Sequence, residues 1–355
     1  MKQAFNNRTN QEGFASIIIA ITLVIVTSLI VVGFARLARN EQTQVTDRQL
    51  SSQAFYAAES GINDATKAIN SGFKNKKTTC GPLQPSDPSY SAPGATNLRN
   101  NNLDATPVGT PNARVQWTCL LIDPAPSNLE YSPVGTVSPK LFKFSGVLPD
   151  GVTPTPINKI TFAWQDADPS NQSFVSGSGI NNTAFPPLSG WTYSGILRVS
   201  ITPLNSLSRN ALRESTYTAY LYPSTASSTT VAYDTNPAVN GNILNGGCNT
   251  ANIPRFCSAS INLPVLPAGT NYLVSMRSIY SKTNVSVVIN SGAAQIFGAQ
   301  AKVDSTGRSQ DVLKRLQVRV PTKNEYYYPG FGVEATGDIC KRLGVRPGYA
   351  SGCGY

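Results

Sequence analysis

This chain of 355 residues contains no histidine. Its absence removes the commonest general base and the commonest metal ligand. A Ser-His-Asp or Cys-His centre cannot be assembled. Zinc sites of mixed Cys/His type are equally excluded, and the cysteines form no C-x-x-C pair for a Cys-only site. The chain also lacks a P-loop, a G-x-G-x-x-G after a strand and a G-x-S-x-G elbow. Charge is scarce too, at 14% of residues. The closest approach to a metal site is Asp166 with Asp168, which a loop before Pro169 explains as well. A calcium ion needs roughly 6–8 oxygens. These absences lead us to expect no enzyme activity, no cofactor and no metal.

What is present points to a packed chain. Hydrophobic residues make up 40% of it, too many for a disordered polymer. With 28 Gly and 25 Pro, the composition fits a loop-rich β structure. Lys and Arg outnumber Asp and Glu by 29 to 19, for a net charge of +10. Such a balance favours anionic surfaces and phosphate-rich polymers. The cations are mostly scattered, however, with short clusters at Lys74, Lys76 and Lys77 and at Lys302, Arg308, Lys314, Arg315 and Arg319.

The strongest single signal is a run from Phe14 to Ala35 without a charge, FASIIIAITLVIVTSLIVVGFA. About 20 apolar residues are needed to cross a bilayer as a helix. Phe14, Ile18, Val24, Leu29 and Val32 are expected to be anchor residues against membrane lipid. Thr22, Thr27 and Ser28 can bond back to carbonyls one turn earlier. Lys2, Arg8 and Glu12 lie on one flank and Arg36 and Arg39 on the other, so charge alone leaves the orientation open. Three readings of the run are possible at this point. One is a secretory signal cut near Gly33-Phe34-Ala35, although its apolar core would normally be shorter. Another is an uncut anchor, and the third is an anchor whose short leader is removed.

Beyond the run, no Pro or Gly interrupts Phe34 to Ser60. Leu50, Ala54, Ala58, Ile62, Ala65 and Ile69 recur at spacings of three and four, which is one face of a helix. Asn70-Ser71-Gly72 is a stop signal. A single helix over 14–70, about 85 Å long at 1.5 Å per residue, is therefore expected. Residues 73–110 read as loop. Nine strand-like runs follow, around residues 115–122, 141–147, 157–164, 195–201, 217–222, 272–277, 285–289, 299–303 and 316–320. A turn is expected at Asp304–Arg308, a short helix within Asn205–Ser215, and an inserted loop from Ser224 to Cys257. The tail after Pro321 is rich in Gly and Tyr. The fold class is accordingly α+β: a long N-terminal hydrophobic helix, anchor plus stalk, followed by a β-rich, sandwich-like head. Its expected divisions are a leader at 1–13, a transmembrane and stalk helix at 14–72, a β-rich extracytoplasmic head at 73–320 and a tail at 321–355.

Six cysteines remain: Cys80, Cys119, Cys248, Cys257, Cys340 and Cys353. About fifteen pairings are possible, and we favour the sequential one. Disulfides would place everything after the anchor outside the cytoplasm.

A polar leader ending in Gly13, then Phe14, then a long apolar helix resembles a prepilin-type (class III) signal. Downstream, Gln53-Ala54-Phe55-Tyr56-Ala57-Ala58-Glu59-Ser60-Gly61-Ile62 is similar to the AFYAAE-x-G stretch of minor pilins of the PilX N-terminal family. The resemblance covers roughly the first 70 residues. It implies cleavage after Gly13 by a prepilin peptidase and N-methylation of Phe14. It further implies a helix that serves first as membrane anchor and then in the core of a filament, with other pilin subunits and a pilus assembly platform as partners. Adhesion or DNA contact by the head is a further implication, and so is a cell-membrane or pilus location. In position, Cys340 and Cys353 resemble the C-terminal disulfide loop of many pilins. The chain departs from the pattern at the fifth residue after Gly13. Major pilins carry Glu there, and this chain carries Ile18. A minor pilin or pseudopilin is the form that fits. The rival is a membrane-anchored cell-surface binding protein with an uncut N-terminal helix.

Overall fold

A computed structural model describes residues 12–80, 115–170, 173–177, 187–206, 208–227, 230–234, 242–249 and 256–322. The fold is α+β, a long N-terminal helix followed by a β-rich region. Helix α1 runs without a break over Glu12–Asn70. At 1.5 Å per residue its 59 residues extend about 88 Å. It ends as the sequence suggests: Gly72 takes φ 101, and the Phe73 amide reaches back to the Ala68 carbonyl at 3.0 Å.

The described residues form two compact units. The first contains residues up to Pro124 and returns for Lys302–Val320. Its sheet has the order β1-β13-β14, formed by β1 (Val115–Asp123), β13 (Gln300–Ser309) and β14 (Val312–Pro321). The second half of α1 packs on one face of it. Ile62, Ala65, Ala68, Phe73, Trp117, Leu120, Ile122 and Val303 make a buried cluster there, with Leu316, Val318 and Val320 against it. The turn expected at Asp304–Arg308 is instead strand. β13 continues through Gly307 to Ser309, and the chain reverses at Gln310-Asp311, with Gln310 at φ 54. Asp, Ser, Thr and Gly read as turn residues, but here Gly307 serves a close backbone approach. A Cβ at Gly307 would lie 2.0 Å from the Ala54 carbonyl oxygen and 2.3 Å from the Ala58 amide nitrogen.

The second unit lies in sequence between β1 and β13, Ala125–Ala301, with Pro321 and Thr322. It holds β2 (Asn128–Val134), β3 (Lys140–Val147), β4 (Lys159–Asp166), β5 (Ile196–Pro203), β6 (Tyr217–Ser224), β7 (Thr230–Ala232), β8 (Asn242–Cys248), β9 (Cys257–Asn262), β10 (Tyr272–Ile279), β11 (Thr283–Ile289) and β12 (Gln295–Phe297). These strands pair in the order β12-β3-β10-β5-β6-β8-β9-β4-β11-β2, with β7 beside β9. The sheet curls around one core. The Ile296 amide bonds the Pro126 carbonyl just before β2 at 3.0 Å, which joins the two ends of the strand order. Inward residues alternate along the strands, as in β4, where Ile160, Phe162 and Trp164 are buried. Tyr131 stacks on Phe142 and Phe144 on Tyr272 inside this core. Burial raises the Tyr272 hydroxyl pKa to about 12. The short helix expected within Asn205–Ser215 is α2 (Arg209–Glu214).

Ser224–Cys257 is not simply an inserted loop, because β7 and β8 lie within it. β8 pairs in parallel with β6 and antiparallel with β9. Its sequence NILNGGC is poor in strand formers. The reason is packing. A Cβ at Gly246 would lie 2.1 Å from the ring of Trp164, so only glycine lets β8 pass over that indole.

Candidate functional site: the two-part helix

The described side chains of the apolar run of α1, from Ser16 to Ala35, are all on the outside. Every described side chain from Ser16 to Gln49 is exposed. Ile18, Val24, Leu29 and Val32 are between 47% and 68% exposed. By length and composition this helix can cross a membrane. Thr22 donates to the Ile18 and Ile19 carbonyls, and Thr27 to those of Leu23 and Val24. Their hydroxyls are therefore satisfied without water, as an apolar medium requires. Gly13 and Phe14 lie in the first turn of the helix. An exposed apolar surface of this length marks contact with lipid or protein.

The second half of the helix is built differently. Ala54, Ala57, Ala58, Gly61, Ala65 and Ala68 all point at the three-stranded sheet, and the five alanines among them are at most 6% exposed. They are small because the sheet comes close. A Cβ at Gly61 would meet the Ser305 hydroxyl at 2.3 Å and Trp117 at 3.0 Å. A glycine inside a helix costs ~1 kcal/mol relative to alanine, a cost that this approach offsets. Polar contacts fix the register. The Trp117 indole N–H donates to the Asp64 carboxylate at 3.0 Å, and Ser309 Oγ donates to Gln53 Oε1 at 2.9 Å. The Q-AFYAAESGI stretch thus has a physical reading: its small residues face the sheet, while Phe55, Tyr56 and Glu59 face out. Phe55 and Tyr56 form an edge-to-face pair with ring centroids 5.9 Å apart.

Cys80 is bonded to Cys119 and Cys248 to Cys257. The first bond fastens the segment after the helix to β1, where Lys77 and Ile122 also exchange backbone hydrogen bonds of 2.8 and 3.0 Å. Cys340 and Cys353 lie outside the described residues. So do the leader residues before Glu12 and the tyrosines of the tail. Disulfides persist in oxidising compartments, which suggests an extracytoplasmic location for the β-rich region.

The basic clusters are partly neutralised. Lys76 pairs with Asp123 at 2.9 Å, and Lys77 is buried and donates to the Thr79 carbonyl. Arg315 grips Asp304 with its Nε at 2.8 Å from Oδ1 and 2.9 Å from Oδ2. The hydrogen bond from Arg315, more than its charge, holds the Asp304 carboxyl below the usual range, against the opposing effect of burial. Asp166 accepts from the Asp168 amide at 3.0 Å and from Ser281 Oγ, and Asp168 accepts from Ser170. Asp168 is engaged in a local turn, and Asp166 in a turn and in a contact with Ser281, distant in sequence. No group of three potential metal ligands occurs among the described residues. Comparisons with protein-family models, with curated proteins and with solved structures found no match to this chain.

Proposed function

We propose that this protein is a minor type IV pilin or pseudopilin that is inserted in the membrane and then assembled into a filament. The observation that carries the reading is the division within one unbroken helix. Its described residues from Ser16 to Ala35 are apolar on all sides and exposed, and its rear half is apolar on one face, which small residues press onto a sheet. A helix that must leave lipid for a protein core needs the first property. A helix that must also carry a folded cargo needs the second. In this reading prepilin peptidase removes the leader after Gly13, and Phe14 becomes the N-methylated first residue. Membrane lipid surrounds the helix first. Helices of other pilin subunits replace it as the assembly platform extracts the chain. Ile18, Val24, Leu29 and Val32 make those contacts. With Ile18 in place of a Glu the front half carries no buried carboxylate, which would need a charged partner in an apolar medium. A subunit used once rather than repeated along the filament suits that lack. The exposed Phe55–Tyr56 pair offers a further contact for a neighbouring subunit.

The test is the N-terminal residue and intact mass of the protein isolated from its own cells. A chain beginning at methylated Phe14 is expected. A chain beginning at Met1 overturns the reading and leaves a membrane-anchored binding protein with an uncut helix. DNA contact is a subsidiary role of the basic residues. Mobility shifts across a salt series are expected to show binding that weakens steeply as salt rises.

A further inference from the structure

The two disulfides of the described residues occupy different places in the fold. Cys80–Cys119 fastens the segment after α1 onto β1. Cys248–Cys257 lies inside the large sheet, at a seam. Its cysteines are register partners, directly opposite each other on β8 and β9. β8 pairs with β6 along residues 242–247. Among the described residues it pairs with β9 only at Gly247 and Cys248. The reason is competition for one edge, since from Ser260 onward β9 is paired by Thr230, Val231 and Ala232 of β7. On its other edge β9 pairs with β4 over its whole length, Cys257–Asn262. The strand order thus passes from β8 to β9 across two opposed residue pairs, and the disulfide is one of them. The Asn249 amide, donating to the Phe256 carbonyl at 2.9 Å, extends the seam by one hydrogen bond.

The seam covers Trp164. This indole is 1% exposed, and Trp164 sits opposite Cys257 in the β4–β9 register. Gly246 of β8 passes over its ring, two residues before the bond that holds β8 in place. The two sulfurs are not equivalent. Cys257 is 1% exposed, whereas Cys248 is partly exposed. Thiol–disulfide exchange proceeds by attack of a thiolate on one sulfur and expulsion of the other. Access therefore selects Cys248 as the attacked sulfur and Cys257 as the leaving one. The Gly246 carbonyl lies 3.4 Å from Cys248 Sγ, in place to accept from the thiol once the bond is broken. The sequence separation is 9, against 39 for Cys80–Cys119, so this bond constrains the unfolded chain less. What it holds is the seam.

We propose that Cys248–Cys257 is a reversible redox clasp, opened by a dithiol reductant and closed by a disulfide oxidant. A thiolate of the dithiol attacks Cys248 Sγ. The Cys248–Cys257 bond breaks as the mixed disulfide forms, and Cys257 leaves as a thiolate that takes up a proton. The second thiol of the reductant, as its thiolate, then displaces Cys248, which is protonated in turn. The reductant ends as a disulfide, and the chain has gained two electrons and two protons. β8 stays with β6 and separates from β9, which uncovers Trp164. The closed form is the one an oxidising compartment maintains. The clasp belongs to the larger unit alone and stands whether or not the chain is a filament subunit.

The experiment uses the full chain in detergent, without denaturant. Dithiothreitol is the reductant. Thiols are trapped with iodoacetamide and located by peptide mass, and hydrogen exchange is followed on the same samples. Reduction at Cys248 and Cys257 is expected to speed exchange roughly tenfold or more at residues 243–248 and 257–258, with β5 and β10 unchanged. Reoxidation should restore the original rates. Glutathione, a monothiol, should leave its mixed disulfide on Cys248. A Cys248→Ala/Cys257→Ala double variant should exchange fast at the seam without any reductant, and dithiothreitol should then add nothing there. This variant separates the clasp from every other cysteine. Unchanged exchange at the seam after both cysteines are alkylated overturns the proposal. So does a bond that dithiothreitol leaves intact in the folded chain, loss of protection throughout β5 and β10, or a glutathione adduct on Cys257.

Discussion

The two halves of α1 use the same backbone for opposite ends. From Ser16 to Gln49 no described side chain touches enough of the protein to be covered, although the first part of that stretch is the most apolar segment of the chain. From Ala54 to Ala68 the buried residues are almost all alanine and glycine, which carry little hydrophobic area. The front half is rich in area and has nothing to pack on. The rear half has little area but fits closely. Apolar area is non-specific and lets one solvent, lipid, be exchanged for another, a bundle of helices. Close approach is specific and holds a single partner. A helix that changes surroundings while keeping its cargo needs both.

The sharpest way to break this contrast is to remove the closeness. Gly307→Ala puts a Cβ within 2.3 Å of helix backbone atoms, and backbone cannot swing aside as a flexible side chain can. The helix must lift from β13. Overpacking of this kind costs about 3 kcal/mol, at the upper end of its usual range. The melting temperature of the unit containing β1, β13 and β14 is expected to fall, read by hydrogen exchange at Leu120 and Val303. Extraction of the protein from membranes should not change. Ala58→Leu should act in the same direction, since Ala58 is fully buried.

The converse change is Val24→Lys, in the exposed half. A lysine near the middle of a spanning helix costs about 2.5–3.5 kcal/mol of insertion. Membrane partitioning is expected to drop, while the melting of the folded region stays as it was. If Val24→Lys also lowered that melting, the halves would not be independent and the comparison would fail.

How much of this was legible beforehand depends on what carried the signal. The helix was, because unbroken apolarity and the stripe from Leu50 to Ile69 are local patterns. So were nine strands, whose alternation is local too. What escaped was set by partners distant in sequence. β8 reads as loop because Gly246 and Gly247 are poor strand formers, yet Gly246 is required by Trp164, far upstream. Gly307 reads as turn because the backbone that excludes its Cβ belongs to α1, near the other end of the chain. Also missed were β2, with a proline near its end, and β7, β9 and β12, which are short or rich in Ser and Ala. The anchor could be read directly.

A smaller effect isolates the polar register of the rear half. Trp117→Phe keeps an aromatic ring and deletes the N–H that Asp64 accepts. Losing a hydrogen bond to a charged group costs about 1.5 kcal/mol. The loss should be measurable as a lower urea midpoint with an unchanged slope. Asp64→Asn, combined with Trp117→Phe in a double variant, should then add little.

The smallest effect tests whether the sheet beneath the helix has its own pH dependence. Asp304 has a folded pKa below its unfolded value, chiefly through the hydrogen bond from Arg315. Such a group binds more protons when unfolded, so its contribution is complete above the unfolded pKa of ~3.9 and is lost as pH falls through the folded value. Asp150 and Asp168 are also lowered, by bonds from Thr153 and from Ser170, and they act in the other unit. Acid melting of the whole chain therefore mixes the two. Asp304→Asn separates them. At pH 7 it should destabilise the helix-bearing unit by about 1 kcal/mol, the scale of a half-exposed ion pair. As pH falls below the unfolded pKa and through the lowered folded one, it should approach the parent, because Asp304 becomes protonated in both states. A difference that persists undiminished through that acid range would mean that packing, and not charge, is what Asp304 supplies to the sheet on which the rear half of α1 rests.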